Sequence, residues 1–439
     1  MAPWLIGLIM FLVMMVLVFE GIPIFISMLS CAFFGFAWLY GFDFKMAWNI
    51  FTTYPFQLGA NYNYAVLPMF MLVGSLAGET GIAEGAFKSV HAFLGRIKGG
   101  LLFTVVGANA LFGACSGSSV AGSVVFGKLA MPELEKAGYN RKYSLGCISA
   151  SGALSTLIPP SMGIITFCMI APGSLSVGTA LMCGIIPGIL TAIALCVTVR
   201  IVGAMHKGTL PPGGGPKVPL KEKLLSLRFL IPILLLFGLI IGGTFAGWFT
   251  ATVGGAIGAV ACVIYALIKK MPFKKLVSCM MDAAIMEAGI FVIIVGGQIF
   301  SKFVADTGLA DYLSQAIANL HAPFFIVFFL VILLYVFCGC VMDIIAIIII
   351  TVPVIFPIMT GMGYSPYALI IALCFIAEIA GLTPPIGMNV FATANALRIN
   401  SSEIFKGVVP FFICEILLVL LLGVFPQIAT FLPALLGAL

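Results

Sequence analysis

Uncharged apolar runs of membrane-spanning length recur along the whole sequence, and they restrict the possible folds more than any other feature. Hydrophobic residues make up 62% of the 439 positions and charged residues only 8%, with a mean hydropathy of +1.23. A soluble domain carries about 25% charged residues. A transmembrane helix needs about 20 apolar residues, so the runs predict roughly eleven to thirteen spanning or half-spanning segments. Residues 1–21 are expected to form the first of these rather than a cleaved signal peptide.

Basic residues cluster in two segments between the apolar runs, at 200–229 and 269–275. Cytoplasmic loops of membrane proteins are enriched in Lys and Arg, so both segments are predicted to be cytoplasmic. A basic patch alone is only an electrostatic footprint, and no nucleic-acid partner is expected. Patterns of a catalytic triad, an H-E-x-x-H zinc site or a Walker A loop are missing from the sequence. We therefore expect no enzyme activity, no bound ATP and no cofactor.

The Pro- and Gly-rich segment 207–225 separates two halves, residues 1–206 and 226–439, which repeat the same landmarks. Four landmarks of the first half recur in the second. Three recur at an offset of 225 positions: Pro132 with Pro357, Gly138-Tyr139 with Gly363-Tyr364, and Pro159-Pro160 with Pro384-Pro385. The fourth recurs at an offset of 227: ETGIAE (79–84) with DTGLAD (306–311). Internal repeats with matching helix breaks are typical of secondary transporters, where the repeat is often inverted in the membrane. A single kinked helix would be explained equally well by packing, because Gly and Pro are common in transmembrane helices.

Each half also contains a polar tip between two short apolar runs, which predicts a re-entrant helical hairpin. The tips are Ser116–Ser119, within a hairpin of about 100–138, and Gly339–Asp343, within a hairpin of about 325–362. The repeat offset pairs Ser118 with Asp343, and ionisable groups at membrane depth are costly and usually functional. Two plainer interpretations remain open. The first tip fits small residues at a helix interface, and Asp343 fits a helix cap near the membrane surface.

The double prolines predict two broken helices, at 158–161 and 383–387, because Pro removes a backbone donor and clashes with the preceding turn. Freed carbonyl groups can bind a cation, and freed amides can bind an anionic group. A hard cation such as sodium should prefer oxygen ligands. The predicted sodium-binding residues are Ser116, Ser118, Ser119, Ile158, Pro159, Gly339, Asp343, Thr383, Pro384 and Gly387. The predicted residues for an anionic substrate are Ser118, Ser119, Pro160, Ser161, Pro385 and Asn389. We expect 158–161 to face the first tip, and Thr383, Pro384, Gly387 and Asn389 to face the second.

Three further acids lie in or beside apolar runs. Glu378, five residues before Thr383, is a candidate for the site or for a proton path, but ranks below Asp343. Glu20 and Glu415 are expected near the membrane interfaces and are given no role.

Residues 113–163, with 342–364 and 382–389, resemble the large membrane subunit of the TRAP family, the tripartite ATP-independent periplasmic transporters. The resemblance covers essentially the whole chain. It implies an inner-membrane secondary transporter with an elevator-type mechanism, driven by a sodium gradient, for an organic acid (a carboxylate or sulfonate, such as a C4-dicarboxylate or sialic acid). It also implies two partners, a small four-helix membrane subunit and a periplasmic substrate-binding protein. The hairpins and broken helices would form the moving domain, and the other helices a scaffold within the membrane lipid.

One segment departs from the family pattern. The family often shows G-x-x-T-P-T-E followed by small residues, whereas residues 247–259 read GWFTATVGGAIGA. Ala251 therefore stands where the family has Pro, and Val253 where it has Glu.

Other functions remain possible interpretations of the same residues. A stand-alone sodium/dicarboxylate symporter of related architecture would work without a binding protein. A channel needs a continuous polar lining, whereas the polar residues here cluster at two points. An intramembrane protease needs a catalytic partner for Asp343, whose equivalent in the first half is Ser118.

Overall fold

Helices and short connections make up the part of the chain that the computed structural model describes, and no strand occurs in it. The described residues are 2–173, 175–206, 208–211, 219–320, 322–340, 342–385 and 387–439. The predicted linker 207–225 thus lies outside the described residues at 207 and 212–218, while its last residues begin a helix at Leu220. The predicted all-α membrane fold is confirmed.

The α-helices are numbered in chain order. Before the linker they are α1 (Pro3–Phe19), α2 (Ile24–Leu39), α3 (Phe44–Gly59), α4 (Val66–Glu79), α5 (Ile82–Leu94), α6 (Gly100–Ser116), α7 (Ser119–Lys136), α8 (Arg141–Ser151), α9 (Leu154–Leu157), α10 (Met162–Ile170) and α11 (Val177–Met205). After it they are α12 (Leu220–Ser226), α13 (Ile231–Phe237), α14 (Gly243–Phe245), α15 (Ala251–Ile268), α16 (Phe273–Thr307), α17 (Leu309–Asn319), α18 (Phe324–Gly339), α19 (Ile344–Gly361), α20 (Pro366–Ala380), α21 (Met388–Leu397), α22 (Ser401–Val424) and α23 (Gln427–Leu435).

Helix length and composition fit a chain that crosses the membrane several times. Among the described residues, five helices are long and apolar enough to span a bilayer, and up to eight spans result if bent pairs are counted as one each. Five shorter apolar helices, of 10 to 17 residues, include α6, α18 and α20. Such helices fall short of the about 20 residues that a span requires, as expected for the arms of hairpins and for broken helices.

The two hairpins are built alike. In hairpin 1 (α6 and α7), Gly117 makes the turn at a φ of +59° and Ser118 caps α7 by accepting a hydrogen bond from the Ala121 N–H at 3.3 Å. In hairpin 2 (α18 and α19), Asp343 caps α19 by accepting from the Ile345 N–H at 3.3 Å. The two residues that the repeat offset pairs are therefore the two N-caps, which satisfy amides left free at a helix start.

The other repeat landmarks also take matching positions. Pro132 lies inside α7 and Pro357 inside α19. Gly138 and Gly363 follow these helices at φ +77° and +87°, a left-handed conformation that glycine adopts without steric cost. The repeat read from the sequence therefore corresponds to a repeat in local structure.

Both double prolines interrupt a helix. The segment 141–157 and α10 form a bent pair with an angle of 47°, and Pro159 and Pro160 lie between them. In the second half, α20 ends at Ala380 and α21 begins at Met388. The Pro159-Pro160 and Pro384-Pro385 peptide bonds are both cis.

The segment that departs from the family pattern starts α15. Thr250 is the N-cap, and its side chain accepts a hydrogen bond from the Val253 N–H at 3.5 Å. Ala251 is then the first helical residue and Val253 the third. Proline is favoured at the first position, and Glu at the third completes a capping box with a Thr N-cap. The Pro and Glu of the family pattern thus fall where they would stabilise the start of a helix. In this chain Ala251 and Val253 replace them, and of the pattern's helix-start residues the Thr250 cap remains.

Candidate functional site

A cavity of about 210 Å³ lies between the tips of the two hairpins. Its walls come from both halves of the chain: Met71, Gly74 and Ser75 of α4, Ser116 to Ala121 of hairpin 1, Thr156, Met162 and Gly163 around the first break, Met286 of α16, and Asp343, Ile344 and Ile345 of hairpin 2. The structure therefore brings the serines of the first tip and Asp343 of the second tip into one site.

Three helices begin at the wall of this cavity. The N-cap or first residues of α7, α10 and α19 line it. A helix N-terminus carries free amides and a partial positive charge, which favour a bound anion. Asp343, half-buried at the start of α19, is the one carboxylate among the lining residues of the described chain. The site thus combines anion-attracting backbone with one fixed negative side chain.

Several buried oxygen atoms behind the first tip lack a hydrogen-bond partner within the described structure. They include Ser116 Oγ, Asn109 Oδ1 and Ser155 Oγ. A Cβ built on Gly122 would touch Asn109 Oδ1 and would lie 3.4 Å from Ser155 Oγ, so these two oxygens lie close together. Buried polar groups normally have partners, and oxygen is the ligand atom that hard cations prefer. Together with Ser116 Oγ, they mark the region behind the tip of hairpin 1 as a candidate cation site.

Sequence reasoning missed Asn109 and Ser155. The available signal was weak: Asn109 is an amide in the apolar run of α6, and Ser155 lies three residues before the first break. Both are fully buried. Asn109 Nδ2 donates to Ser151 Oγ at 2.9 Å, which fixes the direction of its free oxygen.

Glu378 is the centre of a buried network that joins the two halves. Its carboxylate accepts from Thr156 Oγ1 at 2.5 Å and from Asn389 Nδ2 at 2.6 Å. Asn389 Oδ1 in turn accepts from Ser119 Oγ at 3.3 Å. Glu378 and Asn389 are both completely buried. Glu378 thus connects the first tip, the first break and the second broken helix.

Of the residues 158–161 that were expected to face the first tip, Pro160 does so, and neither proline of this break lines the cavity. A Cβ on Gly117 would lie 2.8 Å from the carbonyl oxygen of Pro160. The Ile158 side chain instead packs against Gly188 of α11. Ser161 is buried, and its hydroxyl accepts from the Ile164 N–H at 3.3 Å as the N-cap of α10. Its side chain therefore holds the helix start.

The second break meets the second tip through Cys340. The Cys340 thiol donates to the Pro384 carbonyl at 2.9 Å and lies 3.7 Å from Thr383 Oγ1. Gly339 packs directly on Ala380. Gly387 at φ +54° lies beside the Thr383 carbonyl, whereas Pro385 is exposed. None of these residues lines the cavity.

Two sequence-based expectations are wrong. Asn389 does not face the second tip, because its amide turns toward Ser119 and Glu378. Glu415 does not lie near a membrane interface: it is in the middle of α22 and fully buried, and neither carboxylate oxygen has a partner within the described structure. Hydrogen bonds to Ser119 and Glu378 place the Asn389 amide, and Glu415 lies on α22, which packs against α8 of the first half. Glu20, in contrast, is exposed at the end of α1.

A second cavity, of about 580 Å³, adjoins the first and shares Gly74, Ser75, Ala121 and Met286 with it. It extends between α4, α16 and hairpin 1 to Glu79 and Lys275, which form an ion pair at 2.5 Å. Lys275 belongs to the basic segment 269–275, which is predicted to be cytoplasmic. The larger cavity therefore connects the site with that side of the protein.

Comparison with known proteins identifies the family. Residues 11–428 match the model of the tripartite ATP-independent periplasmic transporter, DctM component. The chain is 28% identical over 384 residues to the C4-dicarboxylate TRAP transporter large permease protein DctM of Pseudomonas aeruginosa, covering 87% of this chain and 88% of the relative. It is 29% identical over 434 residues to the ectoine TRAP transporter large permease protein TeaC of Halomonas elongata, covering 97% and 98%.

A solved structure shares the fold. The crystal structure of the Alcanivorax borkumensis YdaH transporter, described as having an unusual topology, matches with a TM-score of 0.64 at 15% identity over 86% of this chain and 88% of that one. The sequence relatives are transport permeases, which confirms the prediction of a transport protein rather than an enzyme. The family match spans nearly the whole chain, and so this protein belongs to the family of DctM components, the large permease subunits of TRAP transporters.

Proposed function

We propose that this chain carries a small organic acid, a carboxylate or sulfonate, across the inner membrane together with sodium ions. The cavity between the hairpin tips carries this proposal. Three helix N-termini at its wall favour an anion, while the Asp343 carboxylate in the same 210 Å³ would repel one. A sodium ion bound beside Asp343 removes that repulsion, so acid and cation bind together more favourably than the acid does alone.

The proposal includes two sodium sites, one at the hairpin and broken helix of each half. The first would use Ser116, Ser118 and Ser119 with carbonyl groups of Ile158 and Pro159, and it is supported by the unpartnered oxygens of Ser116, Asn109 and Ser155. The second would use Asp343 and Thr383 with backbone groups of Gly339, Pro384 and Gly387. The substrate would lie between them, against Ser118, Ser119 and the helix starts, with Pro160, Ser161, Pro385 and Asn389 as the outer residues of that site.

The transport step is proposed to be an elevator movement, in which the hairpins and broken helices slide against other helices. One side of the cavity is formed by α4 and α16 and the other by the hairpin tips, so the site lies at a boundary between these groups. The adjoining cavity leads to Lys275. This arrangement supports a conformation in which the site opens toward the cytoplasm.

TRAP large permeases work with a periplasmic binding protein and a small membrane subunit, as the family description implies. We propose that this chain pairs with a four-helix small subunit and receives its acid from such a binding protein. The two sequence relatives described above are named for different compounds, C4-dicarboxylates and ectoine. The particular acid would then be selected by the binding protein.

The test begins with affinity purification of this chain from native membranes, with mass spectrometry of the co-purifying proteins and of the acid that the binding protein holds. That acid is then supplied to proteoliposomes with and without a sodium gradient. We expect uptake only when a sodium gradient is present and when the liposomes contain this chain and the small subunit and are supplied with the binding protein. Uptake by this chain alone would favour the stand-alone symporter, and sodium-independent uptake would refute the coupling.

A further inference from the structure

A groove of about 430 Å³ runs along the outer surface of the first half, away from the transport site. Its walls are apolar side chains of three helices: Leu94 of α5, Phe103 and Val106 of α6, and Ala192, Ile193 and Val197 of α11. Ile193 and Val197 are 55% and 50% exposed. In a membrane-spanning helix such residues face the hydrocarbon, so the groove is open to lipid rather than to water.

The groove is elongated and has a charged end. Its lining residues on α11 extend from Ala192 to Ile201, a rise of about 14 Å at 1.5 Å per residue. Arg200 closes the end that continues into the basic segment 200–229. The shape therefore fits a hydrocarbon chain that lies along the helix with a polar group beside Arg200.

The charge at that end is positive. Arg200 Nη1 donates to the Lys98 carbonyl oxygen at 3.1 Å, and a guanidinium group has five N–H donors in all. Lys98 and Arg96, in the loop before α6, are exposed. Within the described residues, no Asp or Glu forms an ion pair with any of these three residues. The positive charge at the groove mouth is thus not neutralised by the described part of the protein.

We propose that this groove binds one acyl chain of an anionic phospholipid, whose phosphate lies at Arg200, Arg96 and Lys98. Basic pockets between transmembrane helices on the cytoplasmic side are suited to anionic headgroups, and each basic residue contributes about 1 kcal/mol, or about fivefold in affinity. The groove is formed where α6 of hairpin 1 meets α5 and α11, so the lipid would occupy the edge of the hairpin. This inference does not depend on the identity of the transported ions.

Native mass spectrometry of the purified chain, exchanged into mixed phosphatidylglycerol and phosphatidylcholine, tests the proposal. We expect selective retention of phosphatidylglycerol. Val197→Trp fills the groove and should abolish that retention. The control is Ile189→Trp: Ile189 is a similarly exposed residue of α11 that lies outside the groove, so this variant should retain the lipid. Arg200→Gln should reduce it about fivefold, whereas Arg228→Gln should not.

Lipid retention is measured without any transport, so the outcome is separate from that of the sodium experiment. Equal retention of the two lipids by the unaltered chain would overturn the proposal. So would full retention of phosphatidylglycerol by both Val197→Trp and Arg200→Gln. Circular dichroism of each variant establishes that a loss of lipid is not a loss of fold.

Discussion

At the scale of single residues, Asp343 has two roles at once. It caps α19 through the Ile345 N–H, and it lines the cavity beside the first hairpin tip. From the sequence, a helix cap and a binding-site carboxylate are alternatives; in the structure Asp343 is the cap, and the same side chain lines the cavity. Because the start of α19 forms part of the cavity wall, the residue that caps this helix also faces the cavity.

Replacing Asp343 by Asn separates these roles. Asparagine can still cap the helix but carries no charge to hold a cation, so we expect a folded protein whose sodium-dependent uptake falls about ten- to a hundredfold, the range for one charge-assisted interaction. Uptake in proteoliposomes and the thermal midpoint are measured together. Asp311→Asn, an exposed acid on α17, should leave both unchanged, and normal uptake by Asp343→Asn would remove this carboxylate from the site.

Thr156 and Thr166 provide a second test at this scale. Both are buried, but Thr156 Oγ1 donates to Glu378, whereas Thr166 Oγ1 has no partner within the described structure. Thr156→Val leaves a buried carboxylate short of a donor, which should cost about 1–3 kcal/mol. Thr166→Val loses no hydrogen bond and should be nearly neutral. Equal midpoints of thermal unfolding for the two variants would contradict the network as described.

At the scale of elements, helix ends explain most of the distinctive local structure. Helices α7 and α19 share three features. Each begins at a polar N-cap, each contains proline, and each is followed by a glycine with positive φ. These are short-range preferences of the backbone, which is why hairpins near 100–138 and 325–362 could be predicted without homologues. The observed hairpins span α6–α7 and α18–α19, within two residues of those bounds.

The start of α15 is predicted to depend on Thr250. Thr250→Ala removes the side-chain acceptor for the Val253 N–H and should destabilise the protein by about 1 kcal/mol, while Thr250→Ser retains it. Val253→Glu should instead raise stability by completing the capping box. Thermal unfolding in detergent measures all three variants. Identical midpoints for the Ala and Ser variants would show that this cap contributes nothing.

At the scale of the whole molecule, the two halves are interleaved rather than side by side. First-half helices pack against second-half helices in several pairs, among them α8 with α22, α4 with α15, α2 with α16 and α7 with α21. Gly146 of α8 and Gly407 of α22 bring two backbones into direct contact, the close approach that small residues permit in membranes. As a TRAP large permease, this multi-pass protein resides in the bacterial inner membrane.

The proposed sliding of hairpin 1 past α4 predicts different effects at two glycines of one helix. A Cβ on Gly74 would lie 2.6 Å from the Ser116 carbonyl oxygen, whereas a Cβ on Gly78 would meet nothing within 4 Å. Overpacking costs about 1–3 kcal/mol, so Gly74→Ala should slow uptake about tenfold and Gly78→Ala should not. Equal rates for both variants would mean that this contact does not limit transport.

The sequence by itself determined the helical membrane fold, the two-fold repeat, the broken helices and the placement of serines and Asp343 at hairpin tips. Apolar length, proline and glycine act over a few residues, so their effects can be read locally. Only the tertiary structure decided that Thr156 meets Glu378 and that Ser119 meets Asn389, across 222 and 270 positions of the chain. It also buried Glu415 within α22. Such contacts depend on how the two halves pack against each other, which no local pattern specifies.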